Sequence, residues 1–455
     1  MNPELFLQEK IAQALNELFG LETSAGQISL QKTRAEFKGE FTLVTFPYIK
    51  VSKKSPEQTG EAIGTWLKSR TIETKEFNVV KGFLNISLNE NSWLAFFSSL
   101  IKNNNYGFKT TGPDSKSVMI EYPSPNTNKP LHLGHLRNIF LGASVSELLK
   151  ANGYHVIHSC LYNDRGTNIS KSMLAWQMFA NGSTPEFTGQ KPDHFVGDYY
   201  VKFSNAYKEE IEKLIAEGLS KEDAEKHSEL SKKVNEMTVA WEKGDSEIRS
   251  LWKKMNDWVY TGFNETYELL GIQPEKFYYE SDVYDLGKET VQEGLEKGIF
   301  FQKEDGSIWI DLTAEGLDQK VVLRSNGTSV YITQDIATAN EKERDFPIDK
   351  SIYVVGNEQD YHFKVLFLIL KKLGKSYADH LFHLSYGMVE LPTGKMKSRE
   401  GTVVDADDLV KEVIDRAEEV TRAQGRIDHL SESEKKELFR MLLEHLLIVK
   451  TLANI

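Results

Sequence analysis

Apolar positions recur along the chain with two periods, and its elements change where one period gives way to the other. Near the start, Leu5, Ile11, Leu15 and Leu18 follow helical spacing, while Phe41-Thr42-Leu43-Val44 and Phe83-Leu84-Asn85-Ile86-Ser87-Leu88 alternate as strands do. These patterns predict a small α/β domain over residues 1–110. Turn formers end it, first Asn103-Asn104-Asn105-Tyr106-Gly107 and then Thr110-Thr111-Gly112-Pro113.

A second pattern then begins. Ser117-Val118-Met119-Ile120-Glu121 reads as a buried strand, a Pro-rich turn follows, and helical spacing runs from Leu131 to Lys150, where Asn152-Gly153 stops it. His155 to Ser159 is the next strand, so the likeliest unit by handedness is a right-handed βαβ crossover in a parallel sheet. Residues 175–270 turn charged and helix-prone, with Trp241, Trp252 and Trp258 as anchors, and predict a helical insertion. Alternation returns over Ser307–Leu312 and Val321–Arg324, with hairpin-turn composition in Ser325-Asn326-Gly327-Thr328. Two further strands, Ser351–Val355 and Leu381–Leu384, flank a helical Phe363–Leu373 segment. The remainder, from Asp405, is helical and charged. The fold class is therefore α/β: a parallel-sheet domain over 111–404, a small α/β domain before it, and a helical part over 405–455.

Composition adds mainly exclusions. A chain of 455 residues exceeds what one core supports, so two or three domains are expected. No apolar run approaches bilayer length and Met1-Asn2-Pro3-Glu4 lacks a secretory pattern, so no membrane partner and a cytoplasmic location are expected. The single cysteine, Cys160, excludes an intramolecular disulfide framework and an all-cysteine zinc site, and no metal ligand set is expected. A net charge of −12 gives no global attraction for nucleic acid, which leaves local basic surfaces such as Lys50-Val51-Ser52-Lys53-Lys54.

The chemistry concentrates where the first strand turns into a helix. In Pro123 to His135 the start of that helix is a place where backbone N–H groups and the dipole favour an anion. Gly134 lets a nucleotide approach the backbone, and His132 and His135, three positions apart, share a helix face and can donate to phosphate oxygens. A second stretch, Gly394-Lys395-Met396-Lys397-Ser398-Arg399, offers three cations that could close over a triphosphate; by itself such a stretch is more often a solvated basic loop.

Together the two stretches resemble the paired ATP motifs of class I aminoacyl-tRNA synthetases, usually written H-I-G-H and K-M-S-K-S. Ser124-Pro125-Asn126, His135-Leu136-Arg137-Asn138, Asn163 to Thr167, Gly197 to Tyr200, Tyr331 to Ala337 and Gln359-Asp360-Tyr361-His362 narrow the resemblance to arginyl-tRNA synthetase. It implies a Rossmann-like sheet and an arginine–tRNA ligase using L-arginine, ATP with Mg²⁺ held through the phosphates, and the tRNA for arginine. The resemblance further implies catalytic donors at His132, His135 and Lys395, and ATP contacts from Asn128, Gly134, Asn138, Met396 and Ser398. The amino-acid pocket it implies comprises Glu121, Ser124 and Asn126 around the α-groups, Asp335 on the guanidinium, and Tyr331, Gln359 and His362. Residues 1–110 resemble the family's additional domain that grips the tRNA elbow, with Phe83 stacking and Asn85 reading a base edge. A monomer is expected.

Two departures stand out. The fourth position of K-M-S-K-S is Ser398 and the third is Lys397, so Lys129 or Lys397 is expected to supply the missing cation. The family continues well past this loop as a helical anticodon-binding domain, whereas this chain ends at Ile455, so a C-terminal truncation with uncertain activity is the expectation. Two alternatives follow: a non-catalytic body that binds arginine or tRNA, and a nucleotidyltransferase acting on a small molecule.

Overall fold

Asn2 opens the first helix of the computed structural model, Pro3–Phe19, where its side chain accepts hydrogen bonds from the Glu4 and Leu5 N–H groups; Gly20 closes the helix at φ 68°. The structure describes residues 2–103, 105–387 and 404–423, the backbone of 390–391 and 394–395, and residues 425, 427, 429–435, 437–439 and 441. The chain divides into two units, Met1–Phe108 and Lys109–Ile455.

In the first unit, the helices Pro3–Phe19 and Pro56–Arg70 cover a four-stranded antiparallel sheet ordered Leu30–Lys32, Phe41–Val44, Phe83–Leu88, Thr74–Val80. The buried helical stripe is Leu7, Ile11, Ala14 and Leu15, packed on Leu43, Leu84 and Ile86. Leu5 is 45% exposed, because at about 100° per residue it lies about 120° round the helix from Ile11. Lys81 at φ 50° and Gly82 at φ 80° form a two-residue hairpin whose paired positive φ values match the twist of the strands.

The second unit is built on five parallel strands. Across the sheet they run Leu381–Tyr386, Lys350–Gly356, Ser117–Glu121, His155–Tyr162, Lys276–Tyr279. Glu121, the last residue of the central strand, lies opposite Tyr353 on one side and Ser159 on the other. Strand order reverses at the central strand, which opens a crevice at the C-terminal edge. Lys276–Tyr279, an edge strand that the patterning did not single out, follows the insertion directly. The insertion consists of Thr167–Phe179, Pro192–Ala216, Glu229–Glu242 and Ser246–Leu269 with shorter helices between. Trp241 and Trp258 are buried in it, and Trp252 donates its indole N–H to the Asp164 carbonyl at 2.6 Å.

A smaller antiparallel sheet, Phe300–Gln302, Ile308–Ile310 and Lys320–Leu323, precedes the helix Tyr331–Asp345. Ser325–Thr328 does turn back, but only as far as a single bridge between Leu323 and Ser329 before that helix begins. Helix Ala406–Ala423 packs into the same core as the central strands, with Ala406 and Val410 fully buried. Among the described residues, no helix is long and apolar enough to cross a membrane.

Candidate active site

Five parallel strands end at one edge, and the segment after the central strand carries the polar groups. Pro123 to Thr127 continues alongside the neighbouring strand: the Asn163 N–H donates to the Pro125 carbonyl at 3.1 Å and the Thr127 N–H to the Asn163 carbonyl at 3.2 Å. Asn163 Nδ2 also holds the Ser124 carbonyl at 3.2 Å. This pairing fixes the backbone while leaving Ser124 Oγ and Asn128 Oδ1 buried without a hydrogen-bond partner. Buried polar atoms without a partner are uncommon and fit a missing polar ligand. Gly197 admits the Pro130 ring and the Lys129 backbone against helix Pro192–Ala216, since a Cβ there would lie 2.6 Å from Pro130 Cδ.

His132 is the N-cap of helix Leu133–Ala151. Its Nδ1 accepts from the Gly134 N–H at 3.1 Å, and His135 Nδ1 accepts from the His132 N–H at 3.1 Å, a reciprocal capping box made of two imidazoles. The Leu133 N–H donates to the Val404 carbonyl at 3.0 Å, and the His135 N–H to the His132 carbonyl at 2.8 Å. The expected backbone cradle for an anion is therefore corrected: the first-turn N–H groups already have partners. Burial holds His132 down to about 4, with the Lys129 charge as the second cause, and burial holds His135 well below the usual range as well. Both rings are neutral at pH 7, and with each Nδ1 accepting, each Nε2 carries the proton and is the donor offered outward.

Asn138, expected on ATP, is buried; its Nδ2 donates to the Val354 carbonyl and to Tyr386 Oη, bracing the helix against two strands. Lys395 is described in its backbone only, paired with Glu390, while Met396, Lys397 and Ser398 lie outside the described residues.

Four of the expected pocket residues fall at or beside the starts of two helices, and Asp335 and His362 meet there. Tyr331 begins helix Tyr331–Asp345 and Asp335 follows one turn on, sharing its face. Asp335 Oδ2 meets His362 Nε2 at 2.5 Å, in the first turn of helix Asp360–Lys372, and Gln359 stands exposed just before it. Tyr331 is 74% exposed, so its ring is not part of the core. Asn126 is exposed, whereas Glu121 is buried and pairs through Oε2 with Lys342 Nζ.

Glu280 is a residue the sequence reading missed. Buried at the end of strand Lys276–Tyr279, it is raised to about 7 by burial first, opposed by Arg165 and by a hydrogen bond with Gln334, and reinforced by Asp164 and Asp335. With Tyr331, Gln334 and Arg165 it lines a cavity of about 560 Å³. Its signal was present in sequence only as an acidic residue closing an aromatic run, Phe277-Tyr278-Tyr279-Glu280.

Asp193, His194 and Asp407 bring ligand-type atoms within 4.8 Å of one another. The cation among them is Lys191, whose Nζ lies 3.3 Å from Asp193 and 2.6 Å from Asp407.

In the first unit, Phe83 is 38% exposed and meets Phe46 edge-on at 6.1 Å. Asn85 is corrected. It is 2% exposed, accepts from Thr42 Oγ1 at 2.7 Å and donates to Asn78 Oδ1 at 2.9 Å, so its amide is engaged inside the unit rather than held out as a base-reading edge.

Residues 96–443 match the family described as tRNA synthetases class I (R), catalytic domain, and residues 5–88 match the arginyl tRNA synthetase N terminal domain. The arginine–tRNA ligase of Parabacteroides distasonis is 54% identical over 432 residues, spanning 95% of this chain and 72% of that protein. That of Bacteroides fragilis is 53% identical over 96% of this chain and 73% of its own length. The solved structure of Thermus thermophilus arginyl-tRNA synthetase shares the fold at a TM-score of 0.62 and 22% identity, covering 98% of this chain and 74% of that one.

Proposed function

Because the chain belongs to the arginyl-tRNA synthetases of class I, we propose that the His132–His135 helix start is its ATP site and the crevice closed by Asp335 and Glu280 its arginine site. The protein is an arginine–tRNA ligase, which activates L-arginine with ATP and charges tRNA. The observation that supports this assignment of sites most strongly is the pair of acidic groups at the proposed arginine pocket: Glu280 is buried and pushed up by that burial, with Asp335 among the further causes, and Asp335 is itself held by His362.

Arginine carries a cation at each end, and the crevice offers a carboxylate for each. Asp335 and Glu280 take the guanidinium, with Tyr331 over it and Gln359 and His362 at its rim. Glu121, Ser124 and Asn126 take the α-groups at the end of the central strand. The arginine carboxylate then attacks the α-phosphate in line, displacing pyrophosphate, and a hydroxyl of the terminal adenosine of tRNA attacks the adenylate carbonyl, breaking its bond to the phosphate and releasing AMP. No enzyme nucleophile is needed. His132 and His135 donate from Nε2, Lys129 and Lys395 supply positive charge, and Asn128, Gly134, Met396, Lys397 and Ser398 are the remaining ATP contacts. Magnesium, when it accompanies ATP, supplies further charge neutralisation. His132, His135 and Lys129 are donors rather than ligands, and Asp405 already caps the Asp407 and Asp408 N–H groups, so the ion fits phosphate oxygens rather than a protein cage. The cytoplasm is the proposed compartment.

Glu280 gives a pH test. At about 7 it is half protonated in the empty pocket, and the guanidinium favours its carboxylate, so arginine binding releases a proton. Arginine affinity accordingly rises from pH 6 toward 8, by at most about tenfold per unit, and levels off above the Glu280 value. Calorimetry in two buffers of different ionisation enthalpy reads the proton directly. E280Q removes that release and weakens arginine by about 10- to 100-fold; proton uptake, or an unchanged release in E280Q, contradicts the assignment.

Phe83 and Asn85 are separated by a second pair of variants. F83A raises KM for tRNA by about tenfold, the loss of one stacking face, with stability nearly unchanged. N85A instead removes the donor to Asn78 Oδ1 and the acceptor of the Thr42 hydroxyl, leaving Thr42 only Thr33 and Asn78 only the Lys38 carbonyl, and lowers the stability of the first unit by about 1–3 kcal/mol, read as a lower Tm.

A further inference from the structure

Lys342 is fully buried, with 1% of its side chain exposed, and the mechanism above gives it no task. An ammonium in such a place must be paired. It sits on the same helix as Tyr331 and Asp335, two turns beyond Asp335 and on the same face. From there its Nζ reaches Glu121 Oε2 and lies 4.1 Å from the ring centre of Tyr353, which is the register partner of Glu121 on the next strand. Attraction to Glu121 and Tyr353 outweighs burial and keeps the ammonium charged. Among the described residues, no hydrogen bond engages the other oxygen of Glu121, Oε1.

We infer that Lys342 is a positioning residue for amino-acid recognition: by holding Oε2 it keeps the Glu121 carboxylate oriented, with Oε1 presented to the α-ammonium of arginine. One helix thus supplies the anion for the far end of the substrate and, through Lys342, the orientation of the anion for the near end. Neutralising Glu121 in part also keeps it from competing with Asp335 for the guanidinium. This rests on the reading of Glu121 as the partner of the α-ammonium.

The test compares arginine with its des-amino analogue, δ-guanidinovalerate, which keeps the carboxylate and the guanidinium and lacks only the ammonium. Binding of both is measured calorimetrically on the wild type, E121Q, K342M and K342R, with thermal melts confirming that each is folded. The wild type prefers arginine by about 10- to 100-fold, the value of one charge-assisted contact. K342M brings the two ligands to within about threefold, because the carboxylate loses the partner that orients it and turns away, and K342R keeps most of the preference. If K342M is not folded, K342Q is read the same way. Equal weakening of both ligands in K342M, with the preference intact, overturns the inference and leaves a purely structural lysine. If E121Q itself keeps the preference, the reading of Glu121 fails and the inference falls with it; if E121Q loses it while K342M does not, only the role of Lys342 fails.

Discussion

D335N lowers kcat/KM for arginine by about a hundred- to a thousandfold while leaving KM for ATP within about threefold of the wild type. The substitution keeps size and shape and removes only the charge. A planar guanidinium against a carboxylate makes paired, charge-assisted hydrogen bonds, and an amide can accept through one atom only. The loss is large because the partner cation is then desolvated opposite a neutral group with Glu280 as its one remaining anion. His362 sharpens the expectation. Its Nε2 lies 2.5 Å from Asp335 Oδ2, so the carboxylate is held by its neighbour before the substrate arrives. H362A, which frees that oxygen, has a smaller effect than D335N. Steady-state pyrophosphate exchange at varied arginine and fixed saturating ATP measures both, and a D335N enzyme with unaltered arginine KM removes Asp335 from the pocket.

The second large effect is at His132. H132N lowers arginine-dependent pyrophosphate exchange by about 10²- to 10³-fold with arginine binding retained. Asparagine is chosen because it remains a good N-cap, so the Gly134 N–H keeps a partner and the helix start survives. What asparagine cannot do is carry a donor out to where imidazole Nε2 reaches. The neutral state matters here: with His132 held down to about 4, its donation does not depend on titration in the physiological range, and exchange rates between pH 6 and 8 follow other groups. A loss confined to arginine KM would place His132 in the wrong site.

These effects were legible in sequence to different degrees, for physical reasons. The histidine pair and the Tyr331/Asp335 spacing are local, set within one turn of helix, and sequence spacing carries that directly. What happens at the helix start is less direct. Sequence says that a helix N-terminus favours anions, but not that His132, His135 and Val404 occupy its N–H groups, since Val404 arrives from a distant segment. Asn85 failed for a related reason. Strand alternation puts it on the face opposite Leu84 and Ile86, normally a solvent face, but Thr42 and Asn78 engage it there, and Gly39 packs so near that a Cβ on it would lie 3.2 Å from Asn85 Cβ. Glu280 and Lys342 are tertiary throughout: an acid after an aromatic strand and a lysine late in a charged helix look like ordinary surface residues until the sheet brings Asp335 and Glu121 beside them.

The central claim is that this chain joins arginine to AMP at a site with a carboxylate pocket on one side and imidazole donors on the other. Arginine-dependent ATP–pyrophosphate exchange, run with and without tRNA and repeated with citrulline, tests it most directly. Citrulline matches arginine in shape but replaces the guanidinium with a neutral urea. The account predicts exchange with arginine, abolished by H132N and D335N, and at least a hundredfold less with citrulline, about what one lost buried charge pair implies. Arginine binding without exchange under either condition, or equal exchange with citrulline, contradicts it.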